Sequence, residues 1–512
     1  GTSPGGWVCG RGWSRERWAG AEPQRAALDA LLPDTPVALQ SQDMHALWVN
    51  TAALRVAGIG ADTPDPPGGR IVRDADGEPT GLLLENAGQI VIRQLPAPAE
   101  AEMLDAVLDA QAQLHRLGIT GVHSLPGIAM PRPDPLSVLE TLRAQGRLRL
   151  RVLQHLPLER LDDAIRLGLR SGFGGDWVRI GGVKMFLDGS LGSRTAWMRE
   201  PYIEASVARC GWAPHSTRPI PFADLGRLRR PRLRVAGSAD GGSSTDCGVN
   251  VLPESEFRSA VRRAAEAGLA STVHAIGDAA VALAIDVLSD PAVHVAAMPH
   301  RIEHVQCLPY DGLEALERPP HPDPLPHVGD RAYAALEGPP HMDAHADVGD
   351  RAYSAFPARG GRAGIVCSVQ PAHLITDWCA VDRYWGPARG ARTYAFRTLL
   401  EAGAVIACGS DAPVEPVDPR LGLFAAVVRT DLEHNPAGGW HPAQRIVIED
   451  AFRGYTIGAA LAAGLPAENG ALTRGAFADI VAWNADPLAE DVDPLALECI
   501  ATIVGGERVY VR

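Results

Sequence analysis

Apolar and polar positions along this chain follow two periods, and the switching between them outlines an architecture. Between about residues 99 and 465, short apolar runs with strand character recur between stretches whose apolar residues return every three or four positions. The strand-like runs are ITGVHS (119–124), LRLRVLQHL (148–156), VRIGGVKMFLD (178–188), ASTVHAIGD (270–278), HRIEHVQ (300–306), GIVCSVQ (364–370) and AVIACGSD (404–411). Helical text such as AEMLDAVLDAQAQLHRLG and ESEFRSAVRRAAEAG lies between them. Strands alternating with helices imply an α/β fold on a parallel sheet or barrel. A closed (β/α)8 TIM-like barrel has eight strands; seven are read here, and the first barrel strand is expected to be missing.

The flanks lose this rhythm. Residues 1–98 do not read as a βα unit: GGWVCGRGWSRERW is followed by PVALQSQDMHALWVNTAAL and a turn-rich hairpin, PDPPGGRIVRDADGEPTGLLLE. They read as an inserted subdomain capping the substrate side of a barrel that spans 99–465. Residues 466–512, with GALTRGAFADIVAWNADP and ATIVGGERVYVR, read as a small C-terminal β-sandwich extension. Two stretches, 205–248 and 315–360, read as irregular insertions in the barrel. The second holds ALERPPHPDPLPHVGDRAY repeated as ALEGPPHMDAHADVGDRAY. Two copies are too few to build a solenoid core. An exposed loop is expected, in which His321, His327, His341 and His345 are not preorganised for metal.

Composition narrows the function classes. A 512-residue chain exceeds one ordinary compact core. A net charge of −13, from 48 basic and 61 acidic residues, argues against a nucleic-acid partner. No apolar run is long enough for a bilayer and no signal peptide is read in Gly1–Gly12, so a soluble cytoplasmic chain is expected. The eight cysteines form no CxxC pair and read as buried free thiols of a reducing compartment. Of the 48 basic residues only Lys184 is a lysine. Arginine cannot stand in where a neutral, nucleophilic amine is required.

Barrel enzymes carry their reactive groups at the C-terminal ends of the strands. Those ends hold Lys184 and Asp188, His274 and Asp278, His304, and Asp411. Imidazole and carboxylate are ordinary ligands of zinc and related ions. A lysine joins them once carbon dioxide has converted its amine to a carbamate. Lys184, His274, His304 and Asp411 are therefore the candidate metal ligands. Asp411 doubles as the base that takes a proton from water and returns it to a leaving amine. His373 and Asp377, after the strand ending in QPAH, could reach a substrate. Strict alternation turns Glu303 to the opposite face from His304. The Gly-rich GGSSTDCG lacks the lysine of a phosphate loop.

VKMFLDGSLGSRTA, HAIGD, RIEHVQ, GSDAPVEPVDP and GALTRGAFADIVAWNADP, together with MHALWVNTAAL and PPGGRIVRDADGEPTG, resemble amidohydrolase family 3, the YtcJ-like hydrolases that include N-substituted formamide deformylase. The resemblance implies a barrel of the amidohydrolase superfamily and hydrolysis of a C–N bond by metal-activated water. It implies one or two divalent ions, zinc first, and Lys184, His274, His304 and Asp411 as ligands and base, with Lys184 carbamylated. His45 and Arg194 would line the substrate side. The family's first-strand HxH pair occurs nowhere in the 512 residues. A small amide-type substrate and a homodimer are expected. Two other readings compete: a non-catalytic remnant of such a hydrolase, and a lyase forming a Schiff base through Lys184.

Overall fold

A computed structural model describes residues 6–15, 22–127, 134–203, 246–311, 365–489 and 491–512. The repeat with its four histidines, and most of the two irregular stretches, lie outside these residues. Strands β1 (Val8–Trp13), β2 (Val37–Ser41), β3 (Ala46–Val49), β4 (Gly69–Arg73) and β5 (Pro79–Glu85) form a five-stranded sheet in the order β1-β2-β3-β5-β4. The hairpin read from the sequence is the antiparallel pair β4–β5. The expectation that no βα unit occurs in this region is corrected. β1 and β2 pair in parallel, Val8 opposite Val37 through Arg11 opposite Gln40, and the helix Arg25–Asp29 lies between them in the chain. That helix has five residues, too few for a 3.6-residue period to show in the text.

The seven strand-like runs become β6 (Gly121–Ser124), β7 (Arg151–Pro157), β8 (Val178–Phe186), β9 (Ser271–Ala275), β10 (Arg301–His304), β11 (Val366–Val369) and β12 (Val405–Cys408). They lie side by side in chain order, every neighbouring pair parallel. This is the sheet of a TIM-like α/β fold, with β6 and β12 as its edges among the described residues. The three last strands, β13 (Ile480–Trp483), β14 (Cys499–Val504) and β15 (Glu507–Val511), make one antiparallel sheet. No helix among the described residues is long and apolar enough to cross a membrane.

Period two along the strands divides the inner face from the helical layer. Val183 and Met185 of β8, Val273 and Ala275 of β9 and Ile302 of β10 enter the largest core. There they join Phe257, Val261 and Ala264 of the helix Glu254–Glu266 and Val281, Ala284 and Ile285 of the helix Asp278–Leu288. Each Val, Ile, Met and Phe among them contributes about 1.5–3 kcal/mol on burial. The alternate positions Lys184, Thr272, His274, Arg301 and Glu303 are also buried, but they face the other way.

Asp188, just past β8, ties neighbouring strand ends together. Its carboxylate accepts from the backbone N–H of Ile276 at 3.0 Å, Gly277 at 2.7 Å and Trp197 at 2.9 Å. Burial pushes its pKa up to about 7 against the pull of these donors. Asp188→Ala would strand three buried N–H groups. The expected loss is about 3 kcal/mol or more, read as a lower thermal midpoint. An unchanged midpoint would refute this account.

Candidate metal centre

His274 lies on β9, His304 ends β10, His373 opens the helix His373–Tyr384 after β11, and Asp411 follows β12. Alternation alone would send His304 outward behind Ile302. Instead the backbone turns left-handed, with φ +73° at His304 and +46° at Val305, and the imidazole swings to the rim of the inner face. Asp411 is turned the same way, at φ +56°. Such conformations cost on the order of 1–3 kcal/mol each and persist where the surroundings enforce them. The reading that set Glu303 on the opposite face from His304 is therefore corrected. Glu303 keeps to the inner face, within electrostatic reach of the Lys184 ammonium, and it is the His304 backbone that breaks the alternation.

The ligand atoms of His304, His373 and Asp411 lie within 4.8 Å of one another. His373 Nε2 is 3.7 Å from an Asp411 oxygen. Among the described residues, His304 Nδ1 and His373 Nε2 are buried without a hydrogen-bond partner. An orphaned polar atom of this kind costs about 1–3 kcal/mol, and a cation shared with Asp411, 3.7 Å from His373 Nε2, would relieve that cost. Gln370, just past β11, donates instead to Glu303 at 3.4 Å and to the Ser368 carbonyl at 3.3 Å. Burial, with the positive groups nearby, holds His304 well below the ordinary imidazole range, and burial takes His373 to about 4. Both rings are neutral at pH 7, the form that binds metal. Burial pushes Asp411 up to about 6, with Lys184 opposing. Two neutral imidazoles and a carboxylate fit a divalent ion such as zinc.

The other expected ligands surround this trio. The His274 ring is centred 4.5 Å from that of His304, and His274 Nε2 bonds to the Gly189 carbonyl at 3.0 Å. The Lys184 amine sits 4.5 Å from the centre of the Phe186 ring. Burial draws its pKa down to about 8 against the attraction of Glu303 and Asp411. Deeper on the inner face, Arg301 pairs with Glu303 at 2.6 Å and donates to His123 Nδ1, also at 2.6 Å.

The expected substrate-side residues separate. His373 joins the candidate centre. His45 is buried with its ring 5.0 Å from that of His274, and its Nδ1 lies 2.8 Å from Glu85. Burial works against a charged His45, but Glu85 prevails and raises it to about 9. Arg194 pairs with Glu22 on an exposed edge and stacks over Tyr384 at 5.6 Å. Asp377 accepts from Tyr394 at 2.7 Å, and Asp278 accepts from the Arg199 N–H at 2.9 Å. Sequence reading missed Glu85 and Arg301. The signal for Arg301 was a charge inside the buried strand text RIEH, whereas Glu85, 40 residues from His45, had none.

Comparison with known proteins bears on the chain as a whole. The chain is 29% identical to YtcJ of Bacillus subtilis (strain 168) over 99% of its own length and 80% of that protein. It is 25% identical to N-substituted formamide deformylase of Arthrobacter pascens over 99% and 80%. A crystal structure of a metal-dependent hydrolase from Pyrococcus furiosus superposes with a TM-score of 0.56 at 26% identity, covering 96% of this chain and 79% of that one. These relatives support a hydrolytic function. The profile described as the Amidohydrolase family matches residues 1–320 and 331–510, and the chain belongs to that family.

Proposed function

We propose that this chain hydrolyses the C–N bond of a small amide or N-substituted formamide, with a divalent cation, zinc first, held by His304, His373 and Asp411. Lys184 and His274 stand beside that trio. The observation that carries the reading is the convergence of two buried imidazoles and a carboxylate, with ligand atoms of His304, His373 and Asp411 within 4.8 Å of one another. When bound, the ion supplies Lewis acidity, polarising a carbonyl and acidifying water. Asp411, about one-third exposed, takes a proton from the attacking water. The new C–O bond forms at the carbonyl carbon. The C–N bond breaks as the nitrogen receives the proton from Asp411, and an acid and an amine leave. The formamide class is suggested by the named deformylase relative.

Lys184 has a second part in this proposal. Its lowered pKa gives a neutral fraction near pH 7–8. That amine can attack carbon dioxide, forming an N–C bond and releasing a proton, and the resulting carbamate places a negative charge beside the imidazoles. A guanidinium stays protonated and cannot do this. The same reading expects a small-molecule substrate, a homodimer and a cytoplasmic setting that keeps the free thiols reduced.

Three outcomes follow. Chelation abolishes amidase activity and zinc restores it; His304→Ala and His373→Ala each weaken zinc binding at least ~10-fold, measured by competition with a chromophoric chelator. Asp411→Asn lowers kcat about 10²–10⁴-fold on a panel of N-substituted formamides. Lys184→Arg is inactive on the same panel, whereas wild-type activity in that variant would eliminate the carbamate. A wild-type protein that binds no zinc and cleaves none of the panel would sink the whole reading.

A further inference from the structure

The text GSLGSRT that follows β8 plays no part in this chemistry, yet it folds around one carboxylate from the other sheet. It closes as a turn: Thr195 N–H donates to the Ser190 carbonyl at 2.9 Å, Arg194 N–H to the Leu191 carbonyl at 2.9 Å, and Ser193 N–H to Ser190 Oγ at 3.2 Å. Asp43, between β2 and β3, reaches into this turn, and its Oδ2 accepts from Ser190 Oγ at 2.6 Å and from Ser193 Oγ at 2.7 Å. A carboxylate only accepts, so both hydroxyls are fixed as donors. Gly192 leaves room for this approach, since a Cβ there would lie 2.8 Å from Asp43 Oδ2. Asp43 Oδ1 is held in turn by Ser41 Oγ and by the His45 N–H at 3.2 Å. Arg15 adds a further grip, donating to the Ser193 carbonyl at 3.2 Å.

The start of the turn touches the candidate centre. His274 Nε2 donates to the Gly189 carbonyl at 3.0 Å. A carbonyl only accepts, so in the neutral ring the proton sits on Nε2 and Nδ1 keeps the lone pair. That carbonyl belongs to the same peptide unit as the Ser190 N–H, which donates to Thr195 Oγ1 at 3.0 Å. The plane of the unit is therefore set by Thr195 on one side and by the grip of Asp43 on the Ser190 side chain on the other.

We propose that Asp43 is a positioning residue for His274: by holding Ser190 and Ser193 it fixes the Gly189–Ser190 peptide, whose carbonyl locks the rotation and the tautomer of the imidazole. Asp43 acts through the turn rather than on the substrate. Its effect on rate rests on the hydrolase reading, whereas its effect on the ring does not.

The test uses the full chain, zinc-loaded for kinetics on the formamide panel and metal-free for NMR of isotopically labelled histidine rings, with His274→Asn identifying the His274 signals. Asp43→Asn is expected to lower kcat about 10-fold at unchanged KM. Ser190→Ala combined with Ser193→Ala is expected to do the same, and adding Asp43→Asn to that pair is expected to cost nothing further, because the three side chains act as one unit. In the NMR, His274 of the wild type shows its proton on Nε2 alone, and both tautomers appear in Asp43→Asn and in the serine pair. The serine pair serves as the second variant if Asp43→Asn does not fold. A carboxylate that only stabilises the turn would lower the thermal midpoint and leave kcat and tautomer as they are; that result overturns the proposal, as do losses that add across the variants. A wild type inert on the whole panel fails the hydrolase reading instead, and the tautomer comparison then decides the role of Asp43 by itself.

Discussion

Removing charge from water is the cost around which the inner face of the parallel sheet is organised. Apolar side chains would fill that face more cheaply, yet it carries Lys184, His123, His155, His274, Arg301 and Glu303, most of them almost fully buried. Breaking one buried charge pair typically costs about 3–5 kcal/mol, so the partners interlock. Arg301 is held between Glu303 and His123, Asp188 is met by three N–H groups, and His155 Nδ1 is met by Gly182 N–H at 2.9 Å and by Thr272 Oγ1 at 3.0 Å. At the rim, His304 Nδ1 and His373 Nε2 are left without a hydrogen-bond partner, and both residues lie beside Asp411. The candidate centre lies at the rim of this interlocked face.

The same constraint fastens the five-stranded sheet to the mouth of the larger one. Asp43, between β2 and β3, accepts from Ser190 Oγ at 2.6 Å and Ser193 Oγ at 2.7 Å, both on the loop after β8. Burial would raise its pKa, but His45 and these hydroxyls outweigh burial and hold it below the ordinary carboxylate value. Asp43 thus grips this loop through two hydroxyls, and the carbonyl of Gly189 on the same loop holds His274. Rotation of His274 is coupled in this way to residues more than 180 positions earlier in the chain.

Much of this is legible in the sequence, for a physical reason. Buried parallel strands read as continuous apolar runs, so all seven are found within a few residues of their ends. The selective survival of one lysine among the arginines points to Lys184 without any structure. What sequence reading misses depends on backbone handedness or on long-range pairing. Period two cannot anticipate the left-handed turn at His304, so Glu303 is set on the wrong face. His373 reads as a substrate-side residue because nothing local shows that a helix will begin on it and turn its ring toward Asp411. The register that joins Glu85 to His45 lies in no local motif.

The terminal sheet packs against the opposite rim. Arg151, at the start of β7, binds Asp479 at 2.6 Å, Arg149 binds Glu507 at 2.9 Å, and Thr502 Oγ1 donates to the His115 carbonyl at 2.7 Å. These bonds span 328, 358 and 387 positions of the chain. Their closure waits until residues 479 to 507 have left the ribosome, so during synthesis the first strands of the large sheet wait with that rim bare. Contacts so distant in sequence form slowly, and a nascent chain of this kind depends on protection from aggregation until its last strand arrives.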